Sequence, residues 1–244
     1  KDTPVASAQQ QAPDSRPQAV AKARLDPSVI IAAALEVSAT SGSIRLSAKA
    51  LGGHLGVDPT AIYRHFRNKG ELMEALLDEL NLRSVRAVTA PPSEWQERLR
   101  QLSRTTLTEF CAHPAIAVEA MVLTTHGPGE LAAIELMLSA FATAGLSPDD
   151  VVEHYALLSS HVLSNASGVA RARAEQHSAH RDGEPDFSPW FDGSMYADPR
   201  KHPHIAELSA QLADLDDRAI FNLGVESVIR SAELIASANA AAEQ

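Results

Sequence analysis

The stretch GVDPTAIYRHFRNKGEL, residues 56–72, concentrates basic side chains in a chain whose formal net charge is −10. Residues 22–69 hold seven bases and three acids, a net charge of +4, which leaves −14 on the rest of the chain. A local reversal of charge indicates a surface that meets a negative partner. We therefore expect a basic module, attached to an acidic body, that alone contacts a polyanion.

Helix-end signals around this stretch predict two short helices joined by a tight turn. Ser47 is expected to cap the first of them, and Gly56 to end it. Asp58 is expected to cap the next helix, with Pro59 at its first position. Only residues 56–58 separate the two helices, which is typical of a helix-turn-helix.

The helix after Pro59 is expected to have one buried and one exposed face. Ile62 and Phe66 lie four residues apart and are expected to face inward. Small residues at the start of the opposite face, with hydrogen-bond donors after them, would let the helix approach base edges while arginine reads guanine or holds phosphate. The plain alternative is a solvated face on a small helix. The outward residues are Thr60, Ala61, Arg64 and His65, with Tyr63 at the border.

Apolar side chains at helical spacing continue through the rest of the chain, and no strand-like alternation appears, so we expect an all-α fold. Residues 1–22 are rich in Ala, Gln and Pro without periodicity, and we interpret them as a disordered N-terminal arm. Cys111 is the only cysteine, which excludes an intrachain disulfide. The longest apolar run, residues 29–35, is too short to span a bilayer. These features favour a cytoplasmic protein without a membrane partner.

Residues 46–80, LSAKALGGHLGVDPTAIYRHFRNKGELMEALLDEL, resemble the DNA-binding domain of the TetR family of bacterial transcriptional regulators, because they carry its Tyr-x-His-Phe block followed by Asn-Lys. The resemblance implies that residues 59–65 form the recognition helix, that Tyr63 and Lys69 anchor the DNA backbone, and that two residues of the preceding helix touch phosphate. The pair Gly52-Gly53 departs from the family pattern and costs roughly 1–2 kcal/mol of helix propensity. The predicted DNA-binding residues are Ser47, Lys49, Pro59, Thr60, Ala61, Tyr63, Arg64, His65 and Lys69.

The body resembles the family's ligand-binding and dimerisation domain, through the stretches HPAIAVEAM, AGLSPDDVVEHYALLSSHVLSNASG and IFNLGVESVIRSAELI. The resemblance implies a homodimeric repressor that binds double-stranded DNA at a pseudo-palindromic operator and releases it when a small-molecule effector binds the body. It divides the chain into a helix-turn-helix DNA-binding domain, residues 23–70, and a larger helical ligand-binding and dimerisation domain, residues 71–244. No cofactor and no metal site are expected.

One helix face of the body suggests a site for the effector. His154, Leu158, His161 and Asn165 follow a 4, 3, 4 spacing, so polar groups lie on one face among apolar neighbours. That face either lines a pocket or forms a polar seam against a neighbouring helix, and both interpretations stand. The predicted effector-binding residues are His113, Met121, Met137, His154, Leu158, His161, Asn165 and Trp190.

Residues 171–203 contain four aromatic side chains within residues 187–196, and we interpret them as a long loop that forms a lid or a dimer arm. A surface loop with locally packed rings is the alternative. A rival function is a small helical enzyme that uses the body's histidines as acid and base groups or metal ligands. The motifs GxSxG, HExxH and GxGxxG are all absent, so no catalytic residue is predicted.

Overall fold

The computed structural model describes residues 25–179 and 195–242, and within these ranges the regular structure is entirely helical. The predicted all-α fold is therefore confirmed. A short 3-10 helix, Pro59–Arg64, here called the recognition helix, lies between the second and third α-helices. The α-helices are α1 (Pro27–Ser41), α2 (Ala48–Leu55), α3 (Lys69–Arg86), α4 (Trp95–Ala112), α5 (Pro114–Ala117), α6 (Pro128–Thr143), α7 (Pro148–Ala179), α8 (Pro203–Ala213) and α9 (Asp217–Ala242).

Some sequence predictions concern residues outside the described ranges. These are the N-terminal arm, residues 1–22, and the aromatic side chains Phe187, Trp190 and Phe191. Tyr196, the remaining member of the aromatic group, is described and is almost fully exposed.

The caps predicted for the helix-turn-helix are present. The Ser47 hydroxyl accepts a hydrogen bond from the Ala50 amide at the start of α2. Gly56 ends α2 in the left-handed conformation, at φ 65°. The Asp58 carboxylate accepts a hydrogen bond from the Thr60 amide at 2.8 Å, with proline at the first helical position. These short-range signals place α2 and the recognition helix where the sequence predicts them.

The recognition helix differs from the prediction in its type, because it is a 3-10 helix that ends with the His65 amide bonded to the Ile62 carbonyl. The caps Asp58 and Asn68 are only ten positions apart. Because a 3-10 turn closes with one residue fewer than an α-turn, it fits this short segment. The Asn68 side chain caps α3, so Lys69 is the first residue of that helix rather than the residue before it.

Helix α7 continues to Ala179, so residues 171–179 of the predicted loop are helical. The residues after Gly168 read VARARAEQ, and Ala, Arg, Glu and Gln are strong helix formers. An ion pair between Arg171 and Glu175, at 2.8 Å and four residues apart, adds support on the exposed side of the helix.

A continuous apolar core joins the two ends of the molecule. Leu72, Leu76 and Leu80 of α3 are buried in it, and α3 packs against α6, α4 and α1. Helix α4 packs against α7, which in turn packs against α9. Helix α3 begins shortly after the recognition helix in the chain and continues into the core of the body.

The two glycines of α2 have different roles. A Cβ on Gly52 would lie 2.9 Å from the Val57 carbonyl oxygen and 3.1 Å from Pro59, whereas a Cβ on Gly53 would meet nothing within 4 Å. We therefore expect Gly53→Ala to raise the free energy of unfolding by about 0.5–1 kcal/mol, the helix-propensity gain of alanine. Gly52→Ala should lower it, since the turn must shift. Urea unfolding of both variants checks this, and a Gly53→Ala protein less stable than the parent would contradict it.

Candidate nucleic-acid interface and effector cavity

The recognition helix buries one face and exposes the other. Ile62 and Phe66 are buried against the core, with exposed fractions of 0% and 6%. The opposite face is open to solvent, and Tyr63, at its border, is 38% exposed. Thr60, Arg64 and His65 are exposed and Ala61 is half-buried. The division into inward and outward residues is the one that the spacing predicts.

The carboxylates of Asp58 and Glu71 are occupied by hydrogen bonds within the DNA-binding part of the chain. The Asp58 carboxylate accepts hydrogen bonds from the Thr60 hydroxyl at 2.6 Å and from the Thr60 amide, and these bonds hold the pKa of Asp58 below its usual value. Glu71 accepts a hydrogen bond from the Arg67 backbone amide and forms an ion pair with the Arg67 guanidinium. The hydrogen bond from the backbone amide is the main cause of the lowered pKa of Glu71. Both carboxylates are thus ionised and partnered within the domain.

Basic side chains of α2, the recognition helix and α3 remain available to a partner. Within the described residues, Lys49, Arg64 and Lys69 are exposed and form no ion pair. Lys69 is the first residue of α3, where the backbone amides of the first turn also point outward. A phosphate at this point would meet an ammonium group and the positive end of a helix dipole.

The predicted polar face of α7 lies against α9. His161 Nε2 is 2.9 Å from the Phe221 carbonyl oxygen, to which it donates, and the two rings stack at 5.6 Å. The Asn165 amide donates to the His161 carbonyl at 3.0 Å. His154 Nδ1 lies 2.8 Å from the carbonyl of the residue one turn earlier, and its Nε2 lies 3.2 Å from the Ser231 hydroxyl. These hydrogen bonds agree with the interpretation of this face as a polar seam against a neighbouring helix.

Gly224 makes this seam possible. A Cβ on Gly224 would overlap the His161 ring. The small residue therefore permits close packing of α7 and α9 within one chain, rather than only between chains. The two seam histidines have their ring nitrogens committed to these helix contacts, so the enzyme hypothesis gains no free acid or base from them.

A cavity of about 90 Å³ lies between α3, α4, α6 and α7. Its apolar wall includes Leu102, Ile134, Met137, Val162 and Leu163. Of the predicted effector residues, Met137 alone lines it among those that the structure describes. Its polar side chains are Asn81, Ser84, Ser103, Thr106, Glu130, Tyr155 and Ser159.

The α7 residues of the cavity follow the predicted residues by one position. Tyr155, Ser159 and Val162 line the cavity, whereas His154, Leu158 and His161 face α9 or the core. The spacing of the predicted residues therefore matches that of the cavity residues. The predicted face is rotated from the cavity face by about 100°, the rotation per residue of an α-helix. The hydroxyl-bearing Tyr155 and Ser159, followed on the same face by the apolar Val162, were the signal that could have found it.

The other predicted effector residues lie apart from the cavity. Met121 is 56% exposed on the segment before α6. His113 is buried where α4 meets α5, and within the described residues its Nδ1 has no hydrogen-bond partner. Burial lowers the pKa of the His113 imidazole, and the Arg83 guanidinium lowers it further, so the ring is neutral at pH 7. Trp190 lies outside the described residues.

Helices α3 and α6 are held together by one carboxylate. Asp78 of α3 accepts hydrogen bonds from the amides of Gly129 and Glu130 at 3.1 and 2.9 Å, and from the Thr125 hydroxyl at 2.9 Å. It therefore caps the N-terminus of α6 from outside that helix. A Cβ on Gly129 would overlap the Asp78 carbonyl oxygen, so the two backbones are in direct contact. We call this contact the Asp78 clamp.

Residues 89–231 match the family model described as "Tetracyclin repressor-like, C-terminal domain", and residues 30–76 match "Bacterial regulatory proteins, tetR family". The chain belongs to the TetR family. As a TetR protein it is a DNA-binding transcriptional regulator with an N-terminal helix-turn-helix and a C-terminal helical domain. Within the described residues, no helix combines the length and the apolar character that a membrane span requires.

Relatives and solved structures agree with this TetR assignment. The chain is 27% identical over 212 residues to the HTH-type transcriptional repressor Rv1353c of Mycobacterium tuberculosis, covering 84% of this chain and 79% of the relative. It is 25% identical over 166 residues to the repressor DrrR1 of Streptomyces coeruleorubidus, covering 68% of this chain and 60% of the relative. Apo ActR from Streptomyces coelicolor has the same fold, with a TM-score of 0.67 at 22% identity over 89% of this chain and 99% of ActR. ActR has also been solved in complex with actinorhodin, with a TM-score of 0.67 at 22% identity over 88% of this chain and 99% of ActR.

Proposed function

We propose that this TetR protein is a repressor that leaves its operator when a small molecule enters the cavity between α3, α4, α6 and α7. The observation that carries the proposal is that one helix, α3, begins at the cationic surface and forms a wall of the cavity. The relatives Rv1353c and DrrR1 are both named transcriptional repressors. The complex of ActR with actinorhodin supports a small-molecule site in a body of this fold.

The DNA-binding half of the proposal assigns roles by exposure and charge. Arg64 reads a base edge or grips phosphate, and the smaller outward residues allow the recognition helix to enter the major groove. Tyr63 and Lys69 hold the backbone, together with Ser47 and Lys49 from α2. The remaining predicted contacts are Pro59, Thr60, Ala61 and His65, of which Thr60 and His65 are exposed and Pro59 and Ala61 are half-buried.

Selection from a pool of random DNA duplexes tests this half. The full chain should enrich an inverted repeat whose half-sites are spaced by about one helical turn, and its affinity should fall steeply with salt. Binding without any enriched sequence would contradict a sequence-specific repressor. An enriched site without inverted symmetry would contradict the homodimer.

Exposed faces of α7 and α9 support a homodimer. On α7, small side chains recur every four residues at Ala156, Ser160, Ser164 and Gly168, all exposed. On α9, Leu223 and Leu234 are 58% and 73% exposed. Small residues let helices approach closely, and exposed apolar side chains on neighbouring helices mark an interaction surface.

We therefore expect light scattering to report twice the mass of one chain. A double variant with Leu223→Glu and Leu234→Glu should be monomeric, because an interface would bury two unpaired charges. Val122→Glu is the matched control, since Val122 is 76% exposed but lies on neither helix. A parent protein that is monomeric at micromolar concentration, yet binds the selected operator tightly, would contradict the dimer.

The effector half of the proposal rests on the position of α3 between the cationic surface and the cavity. About twelve residues, or roughly 18 Å of helix, separate Lys69 from the cavity residue Asn81. A molecule that widens the cavity pushes α6 outward, and the Asp78 clamp transmits this displacement to α3. Release of DNA requires that the molecule bind the displaced conformation more tightly. A coupling of about 1–3 kcal/mol would lower operator affinity roughly 5–150-fold.

A further inference from the structure

We propose that the ligand of this cavity is a small apolar molecule that carries a protonated amine. The proposal rests on the cavity being the effector site. It is carried by the hydrogen-bonding state of the polar side chains in the wall, by the charge at one end of the cavity, and by the cavity volume.

The three serine hydroxyls of the wall face the cavity as acceptors. The Ser84 hydroxyl donates to the Leu80 carbonyl at 2.9 Å, and the Ser103 hydroxyl donates to the Leu99 carbonyl at 2.8 Å. The Ser159 hydroxyl donates to the Met137 sulfur at 3.7 Å. With their hydrogens committed to these partners, the serine oxygens keep lone pairs for a ligand. The serine oxygens therefore suit a ligand that brings donors.

One end of the cavity carries negative charge. Glu130 lines the cavity, and one of its carboxylate oxygens accepts hydrogen bonds from the His126 amide and the Thr125 hydroxyl. Asp78 shares the Thr125 hydroxyl, so the two carboxylates lie together at the start of α6. The N-terminus of a helix supplies roughly half a positive charge, which offsets only part of two negative charges.

The wall of the cavity supplies no cation to this end, as far as the described residues go. Within the described residues, the wall contains no Lys, Arg or His. A carboxylate ligand would therefore lose its hydration and be repelled by Glu130. An ammonium group offers three donors, which Glu130, the Asn81 amide oxygen and a serine oxygen can accept. The apolar residues opposite, including Leu102 and Ile134, receive the rest of the molecule.

The volume of the cavity gives a reason why ligand binding would be coupled to DNA binding. The cavity measures about 90 Å³. A cavity of about 150 Å³ is the size that holds one benzene ring. A ring-bearing amine therefore binds only if the helices move apart, and the widened conformation is the one it favours.

Three probes with nearly the same carbon skeleton test the proposal: benzylamine, benzyl alcohol and benzoate. Binding to the full chain is measured by ligand-observed NMR titration and thermal shift at millimolar concentration. Benzylamine should bind about tenfold more tightly than benzyl alcohol, the effect of a charge-assisted hydrogen bond, and benzoate should bind most weakly. Benzoate binding as tightly as benzylamine would overturn the proposal and leave the cavity's role as an effector site standing.

Variants separate charge from shape. Glu130→Gln keeps an oxygen that can accept from the His126 amide but removes the charge. The affinity for benzylamine should therefore fall to that for benzyl alcohol. Glu135→Gln is the matched control, because Glu135 is an exposed acid on the same helix outside the cavity. An amine preference that survives Glu130→Gln would overturn the proposal. If Glu130→Gln fails to fold, the order of the three probes on the parent protein still decides.

A third variant distinguishes the failure of the site from the failure of the ligand class. Ala133→Leu places extra methyl groups in the cavity and should abolish binding of all three probes. If all three bind the parent no better than they bind Ala133→Leu, the cavity is not a ligand site, and both the proposal and the effector half of the function fail. If they bind the parent in another order, only the ligand class fails.

Discussion

Replacing Arg64 and Lys69 together by alanine is expected to lower affinity for the selected operator about 100-fold or more. Loss of an arginine that reads a base edge costs about 1–3 kcal/mol, and loss of a phosphate contact adds to it. Both side chains are exposed and form no ion pair within the described residues, so the fold and the thermal midpoint should be unchanged. Competition binding at a fixed salt concentration measures the loss.

The single variants distinguish the two roles. Arg64→Ala should relax the preference at one base position of the operator, whereas Lys69→Ala should weaken all sequences alike and reduce the salt slope by about one. Lys201→Ala is the matched control, since Lys201 is an exposed cation beyond the DNA-binding part of the chain. Unchanged operator affinity in the double variant would rule out this surface as the DNA interface.

Local signals allowed the helix-turn-helix to be predicted closely. Caps such as Ser47 and Asp58 act on amides two or three residues away, so their effect is visible in the sequence itself. The burial of Ile62 and Phe66 follows from their four-residue spacing alone. The type of the recognition helix was missed, because 3-10 and α geometry differ by where one hydrogen bond ends.

The cavity depended on long-range packing and was therefore harder to predict. Periodicity fixes which residues of α7 share a face, but not which neighbouring helix that face meets. His161 faces α9 because Gly224 leaves room for its ring, and these two residues are 63 positions apart. Asn81 and Ser103 reach the cavity from α3 and α4, and no local pattern connects them to α7.

Gly129→Ala is expected to lower the free energy of unfolding by roughly 3 kcal/mol, the upper part of the range for overpacking. A Cβ at this position would overlap the Asp78 carbonyl oxygen and lie 2.9 Å from the Leu82 amide nitrogen. Both atoms belong to the backbone of α3, which cannot rotate away as a side chain can. For a chain of this size the thermal midpoint should fall by roughly 6–12 °C.

The matched control is Gly53→Ala, where an identical substitution in a helix meets open space and should stabilise the chain. Gly129→Ala should also change the function, because separating α6 from α3 breaks the hydrogen bonds of the Asp78 clamp, through which movement of α6 is proposed to reach α3. We therefore expect a smaller loss of operator affinity on addition of ligand than in the parent protein, since the displacement of α6 is no longer transmitted to α3. A Gly129→Ala protein with parental stability and a parental ligand response would show that α3 and α6 separate freely. The Asp78 clamp could then not transmit the movement of α6 to the recognition helix.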